Sequence, residues 1–351
     1  MTKPSLHLSD IGEFGFIERM LKLVRCKAPE VRVGPGDDAF VCEEEEGRLL
    51  IVTTDMMVEN THFRLDWQTA EELGHKALAS NISDIASMGG SPRWAFVSMG
   101  CSPETEVSFL EALYQGMLHL AEKSGILIAG GDTTRSESLI LSLTLLGFCN
   151  QENLVTISGA SVGEKIYATG CPGMAALGLR VLEKMGRESG GKNYPRAVAA
   201  HLVPEGPWLQ APLISRHFRP GAMTDLSDGL ARDVGKICSA SGVGGRLNFE
   251  KFPWDSEMLQ AQREWGWDPI AFALSGGEDY SLIFTAKQDS LDQARQNNPV
   301  LKNLQLIELG EVIPAGDGLV VCQADTSEQR IDPSGFDHFK GKTESPHNER
   351  D

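Results

Sequence analysis

The chain has 351 residues, 41% hydrophobic and 23% charged, an ordinary globular composition, and its length accommodates two domains of roughly 100–200 residues each. Its 32 basic and 49 acidic residues give a formal charge of -17; a field of that sign repels nucleic acid and anionic membranes, and a phosphate ligand would need bound cations to offset it. Seven cysteines without a CxxC pair argue against zinc, iron–sulfur and disulfide frameworks, and the lack of a signal-like N-terminus or of about 18 consecutive apolar residues leaves the cytoplasm as the default location.

Residues 14–24 space Phe16, Ile17, Met20, Leu21 and Val24 along one helical face. Gly34-Pro35-Gly36-Asp37-Asp38-Ala39 predicts a stiff turn. Short strands follow at 39–42 and 49–53, around the solvated acidic run 43–46, and the second delivers Thr53-Thr54-Asp55 at its end. Thr69 and Glu72 form a capping box for a helix that runs to about Met88 and stops at Gly89-Gly90-Ser91-Pro92. Next come a strand at 94–99, a helix at 104–124, a strand at 126–129 ending in Gly130-Gly131-Asp132-Thr133, and a strand at 139–148.

A domain boundary fits near 157–163. Beyond it the pattern predicts a strand at 165–169, a helix at 174–185, a glycine-rich loop or linker at 186–195, and a short helix at 211–217. Asp225-Leu226-Ser227-Asp228-Gly229 leads into a helix through Cys238. The stretch 241–269 reads as irregular, with Trp254, Trp265 and Trp267 assigned to a local core. Gly276-Gly277-Glu278-Asp279-Tyr280 precedes a strand at 281–285, strands follow near 304–312 and 318–322, and Gly335-Phe336-Asp337-His338-Phe339 comes before a polar tail.

The carboxylates Asp37, Asp38, Asp55, Asp84, Asp132, Asp225, Asp228, Glu278 and Asp279 sit beside Gly, Ser or Thr and close to apolar segments. Each alone reads more readily as a turn residue than as a ligand. As a converging set they would repel one another and call for cations, and hard oxygen donors suit magnesium bridged to phosphates. No P-loop, protein-kinase set, dinucleotide fingerprint, HExxH or GxSxG is present; Gly341-Lys342-Thr343 closes a stretch one residue too long for a P-loop.

Together the motifs resemble the thiamine-monophosphate kinase family of the aminoimidazole-ribonucleotide-synthetase-like superfamily. The matches are 34–39, 53–55 with His62-Phe63, 76–90, 130–133, 225–230, 276–280 and 335–339. The run Lys76-Ala77-Leu78-Ala79-Ser80-Asn81-Ile82-Ser83-Asp84-Ile85-Ala86-Ser87-Met88-Gly89-Gly90 is the most specific. The resemblance implies an α/β (α+β) protein with two domains. The N-terminal ATP- and Mg-binding domain, 1–157, would lend its sheet to a homodimer that closes into a barrel. A C-terminal α/β domain, 158–340, and a tail, 341–351, would follow.

It also implies ATP-dependent phosphorylation of thiamine monophosphate to thiamine diphosphate, with several magnesium ions and with potassium as a further candidate cation. Carried over, Asp37, Thr53, Thr54, Asp55, Asp84, Asp132, Asp225 and Asp228 are the expected metal network. Tyr114, Gly131, Asp132 and Ser227 are the expected ATP contacts, and His62, Glu278 and Phe336 the expected substrate contacts. His62 and Phe336 also read as packed structural residues. No general base is expected, because the acceptor phosphate is already an anion, and neither nucleic acid nor membrane is an expected partner.

Two positions depart from the family pattern. Ile157 stands before Ser158-Gly159-Ala160 where an arginine is usual, which removes a phosphate fork and leaves either a lower nucleotide affinity or compensation by a nearby residue such as Arg135. Asn60 replaces a glycine, a mild change because Asn tolerates the left-handed region. The alternatives are another ATP-using synthetase of the superfamily or a nucleotide sensor without activity. Selenophosphate synthetase would call for a reactive cysteine in a glycine-rich loop, which Cys26 is not, and the hydrogenase-maturation relative for a cysteine-bearing tail.

Overall fold

The computed structural model describes residues 6–24, 28–206, 208–322, 328–331 and 339. Phe336, Cys26 and the 341–351 tail lie outside them. The first part of the chain builds one sheet from β1 (Val31–Val33), β2 (Phe40–Glu45), β3 (Arg48–Val58), β4 (Ser91–Cys101), β5 (Leu127–Arg135) and β6 (Ile140–Asn150), in the order β1-β2-β3-β6-β4-β5. Its helices are α1 (Leu8–Leu21), α2 (Ala70–Ser87) and α3 (Val107–Ser124).

The second part contributes β7 (Lys165–Ala168), β8 (Ala222–Asp225), β9 (Gly244–Asn248), β10 (Leu282–Ala286), β11 (Ile307–Ile313), β12 (Leu319–Cys322) and β13 (Glu328–Arg330), ordered β13-β12-β9-β11-β7-β10-β8. Around them lie α4 (Met174–Asn193), α5 (Pro195–Leu202), α6 (Ala211–Phe218), α7 (Leu230–Ser241), α8 (Ser256–Trp265), α9 (Pro269–Ser275), α10 (Gln288–Asn297) and α11 (Pro299–Asn303).

Strand alternation lays down the first core. Leu49 and Ile51 of β3 and Leu141, Leu143 and Leu145 of β6 point to one face and are buried there. Helix α2 covers that face. The capping box starts it as the pattern predicts, with Glu72 N–H donating to Thr69 Oγ1 and Thr69 N–H to Glu72 Oε2. Helix α3 lies against α2 at a distance only glycine allows: a Cβ on Gly116 would overlap the Glu71 carbonyl, and one on Gly74 the Leu113 carbonyl. On its other side α2 meets β8 and β10 of the second sheet. The first core accordingly takes in Trp208, Phe218 and Phe284 from the second half of the chain.

Several expectations are corrected. The first sheet does not close into a barrel: it is open, with β1 and β5 as its edges, and closure needs hydrogen bonds between first and last strands. β3 does not end at 53 but runs through Asp55 to Val58, because β6 pairs along its whole length, from Arg48↔Asn150 to Val58↔Ile140. Continuous cross-strand pairing there overrides the weak strand preference of Asp55. Gly130-Gly131-Asp132-Thr133 is not a turn but the middle of β5, paired with β4 through Ser98↔Asp132.

The glycine-rich 186–195 stretch is mostly helical, bent where Gly186 takes φ 72. The irregular stretch 241–269 contains β9 and α8. Its tryptophans do pack locally, as expected, with Trp265 and Trp267 ring centroids 4.4 Å apart and Tyr194 against Trp265 at 4.9 Å.

Gly116→Val should destabilise the fold by about 1–3 kcal/mol, the usual cost of forcing methyl groups into a packed interface. Gly316→Ala, where an added Cβ meets nothing, should stay within about 0.5 kcal/mol of the parent. Urea unfolding distinguishes them, and equal midpoints would refute the close-packing account of α2 and α3.

Candidate active site

Helix α2 is almost wholly buried, yet one stripe of it is polar. Lys76, Ser80, Ser83, Asp84 and Ser87 follow spacings of three and four residues and so share a face. Each member meets a different segment. Lys76 Nζ donates to Glu278 Oε2 at 3.0 Å. Ser83 Oγ lies 2.6 Å from Asp225 Oδ2, and Asp84 Oδ2 accepts from Thr53 Oγ1 at 2.6 Å. Ser80 and Ser87 lie within hydrogen-bond reach of Asp55 and Asp38. Each serine hydroxyl has one proton, and the helix carbonyls of Ala77, Ser80 and Asp84 also claim those of Ser80, Ser83 and Ser87, at 3.2, 2.7 and 2.8 Å.

The stripe thus brings Asp38, Thr53, Asp55, Asp84, Asp225 and Glu278 into one neighbourhood. Burial raises the Asp84 carboxyl well above its ordinary range, and Asp225, Asp55 and Asp38 push it further. Burial followed by Asp38 and Asp233 does the same to Asp225. Asp38 is raised chiefly by burial, although Thr224 Oγ1 donates to its Oδ1 at 3.0 Å. Its Oδ2 is buried with no hydrogen-bond partner among the described residues. Asp55 keeps contact with solvent, but the surrounding protein still raises it, with smaller contributions from Glu278 and Asp228.

Not every expected residue joins this group. Asp37 turns to the domain junction: its Oδ2 accepts from the Ile157 N–H at 3.1 Å, and burial followed by Asp38 raises it to about 6. Asp38, not Asp37, enters the cluster. Thr54 lies on the other face of β3, bonded to Leu143 O and Thr144 Oγ1. Gly131 and Asp132 are exposed on edge strand β5, with Arg135 at its end, and Tyr114 is half-buried on α3.

Ser227 donates to Asp225 Oδ1 at 3.0 Å. Asp228 is paired with Lys236 at 2.7 Å and lies 3.6 Å from Arg232. His62 accepts the Val58 N–H on Nδ1 at 3.0 Å and lies close enough to Glu278 to help lower its pKa.

One residue that shapes the site, Asp233, carried no motif signal, and another, Asp279, belongs to the carboxylate set read from the sequence but serves elsewhere. Asp233 Oδ2 accepts the N–H groups of Ser227, Asp228 and Gly229, fixing that loop, while its Oδ1 pairs with Lys236. Burial pushes Asp233 up to about 6. Asp279 turns away from its neighbour Glu278 to cap α4, accepting from Gly173 N–H at 2.6 Å and Ala175 N–H at 2.9 Å. Lys76, by contrast, was detectable: a lysine in the apolar register of a helix needs a buried partner. Burial opposes the Glu278 charge, but Lys76, with smaller help from His201, outweighs it and holds the carboxyl below its usual range. Burial and then Lys76 press His201 down to about 3, so its ring is neutral at pH 7.

Among the described residues no three His, Cys, Asp or Glu side chains already form a metal cage. The donor set nevertheless fits a hard divalent cation: the cluster is all oxygen, its carboxylates resist ionisation without a countercharge, and Asp38 Oδ2 is unsatisfied.

Residues 36–149 match the family described as AIR synthase related protein, N-terminal domain, which sets the class to which this sheet and its carboxylates belong. A thiamine-monophosphate kinase of Escherichia coli (strain K12) is 33% identical over 93% of this chain and 98% of its own length. A solved structure described as AaThiL complexed with AMPPCP and TMP superposes with TM-score 0.83 at 30% identity, over 96% of this chain and 100% of that one. The E. coli hydrogenase maturation protein HypE shares the fold alone, at 18% identity and TM-score 0.62, covering 81% of this chain and 86% of its own. The chain belongs to the thiamine-monophosphate kinase family.

Asp279 gives a pH test. Burial raises its folded carboxyl to about 7, whereas an unfolded aspartate titrates near about 3.9. Its contribution to stability is therefore whole below about pH 4 and is lost as pH rises through about 7. Asp279→Asn loses an N–H acceptor at every pH but does not titrate, so it should gain on the parent between pH 4 and 7 in chelator-treated urea unfolding. A gap that stays constant across that window argues against the shift.

Proposed function

We propose that this enzyme transfers the γ-phosphoryl group of ATP to thiamine monophosphate, giving thiamine diphosphate. The observation that carries the reading is the cluster of carboxylates drawn from both halves of the chain onto α2, in a chain 93% of which aligns with a thiamine-monophosphate kinase. Asp38, Asp84 and Asp225, with Asp55 and Asp228 at the margin, would hold magnesium. Asp132 would complete the nucleotide end with Gly131, Tyr114 and Ser227. The chemistry that bound magnesium supplies is neutralisation of charge between the two phosphates.

The chain's own residues set the geometry. Thr53 fixes the Asp84 carboxylate by a short hydrogen bond, and Ser83 Oγ and Ser227 Oγ contact the two oxygens of Asp225, so ligand oxygens are aimed before any cation arrives. Asp233 holds the Ser227–Gly229 turn with three N–H bonds, placing Ser227 at the mouth of the cluster. His62 lies close to Glu278, and the pair would face the acceptor, where thiamine's ring system would lie. The acceptor phosphate needs no base, since it is already ionised at neutral pH.

We further read residues 1–157 and 158–340 as two domains of one cytoplasmic protein that acts as a homodimer. Support for self-association is the exposed apolar surface at Met56, Phe96 and Leu127 on β3, β4 and β5. Among the described residues no helix is long and apolar enough to cross a membrane.

ADP release should depend on thiamine monophosphate and on magnesium, and exchanging potassium for sodium reads any monovalent requirement. Asp84→Asn and Asp132→Asn should each lower turnover by about 100-fold or more, with folding unchanged by circular dichroism. Near-parental turnover at saturating magnesium would remove those residues from the site.

A further inference from the structure

The loop carrying Glu278 is held in a shape that ordinary residues avoid. Glu278 takes φ 67 and Tyr280 φ 49, both in the left-handed region. Backbone bonds from Glu278 N–H to Ser227 O and from Tyr280 N–H to Leu226 O, and the Trp208 indole on Tyr280 O, fix the main chain. A Cβ on Gly277 would overlap the Ser227 carbonyl, so the two loops are in direct contact. Strain of this kind persists only where its surroundings over-determine it. What remains for the Glu278 side chain is the direction of its carboxylate.

That direction is set from α2. Lys76 is 0% exposed, and its ammonium bonds Glu278 Oε2 at 3.0 Å. His201, 4% exposed, brings Nδ1 to 3.3 Å from the same oxygen. Both contacts fall on Oε2, and Oε1 accepts no hydrogen bond among the described residues. Glu278 itself retains about a quarter of its side-chain surface, at 26%, so its carboxylate is open to a ligand on one side. The other titratable groups facing it include His62, Asp55, Asp279 and Tyr280, and among the described residues only Lys76 places a full positive charge on it within hydrogen-bond distance.

We propose that Lys76 is a positioning residue for acceptor recognition: it clamps Glu278 by Oε2 so that Oε1 offers one fixed anionic acceptor to a cationic or N–H-donating ring of the substrate. The inference rests on the reading of Glu278 as a substrate contact. Thiamine monophosphate supplies both kinds of group, a permanently charged thiazolium and an aminopyrimidine. Lys76 is fully buried, so its effect would be transmitted through the one carboxylate it bonds.

The test is a double-mutant cycle on steady-state kinetics, with Lys76→Met, Glu278→Gln and the combined variant. Lys76→Met should raise KM for thiamine monophosphate about tenfold or more, the range for a lost charge-assisted hydrogen bond, with KM for ATP unchanged. In the Glu278→Gln background the same change should have little effect, because the group it acts through is gone. The combined variant removes both partners of the buried pair and so avoids an orphaned charge, which keeps the comparison with Glu278→Gln available if Lys76→Met alone folds poorly.

A Lys76→Met effect of full size in the Glu278→Gln background would overturn the proposal while leaving Glu278 as a substrate contact. A parallel loss in kcat and in both KM values would mark Lys76 as merely structural and also overturn it. An unchanged KM for thiamine monophosphate in Glu278→Gln would instead sink the Glu278 assignment, and this inference with it.

Discussion

Charge repulsion inside the protein is the constraint on which this architecture turns. Asp38, Asp84 and Asp225 come from a turn, a helix and a strand, and burial makes each costly to ionise. Hydroxyls from α2 and its neighbours meet that cost: Ser83 of α2 lies against Asp225, and Thr53 of β3 donates to Asp84. Hydroxyl donors stabilise a carboxylate without cancelling its charge. A lysine in their place would have satisfied the cluster and closed it to metal. The one lysine of the stripe is directed to Glu278, away from these three.

The same helix explains why the two halves of the chain share a core. α2 lies between the sheets, against β3 and β6 on one side and β8 and β10 on the other. It therefore cannot expose a polar face to water. A polar stripe on a helix buried all round has to be matched by polar groups from its neighbours. The matching groups are the proposed ligands, so the packing that holds the sheets together and the site that joins them are one set of contacts.

Much of this was legible in the residues. The Thr69–Glu72 capping box, most strands of the first sheet and the carboxylate motifs could be read directly, because local pattern controls them. Lengths and partners were less accessible. β3 passes Asp55 because β6 accompanies it, and β5 absorbs Gly130–Thr133 because β4 does the same. The choice between Asp37 and Asp38 depends on which carboxylate reaches the Ile157 amide, a partner 120 residues away. Asp279 shows the converse: adjacent to Glu278 in the chain, it serves a helix terminus. The open edges of the first sheet depend on long-range pairing that no short motif records.

The contact between Asp37 and residue 157 is made to a backbone amide. Such a bond is indifferent to the side chain that follows, and only proline, which lacks the N–H, would abolish it. The Ile157 side chain, by contrast, is packed into the core of the second half of the chain, so its size is constrained by packing even though the backbone bond is not. One residue thus ties the two halves of the chain in two ways, by an amide that holds a turn of the first half and by a side chain that fills the core of the second.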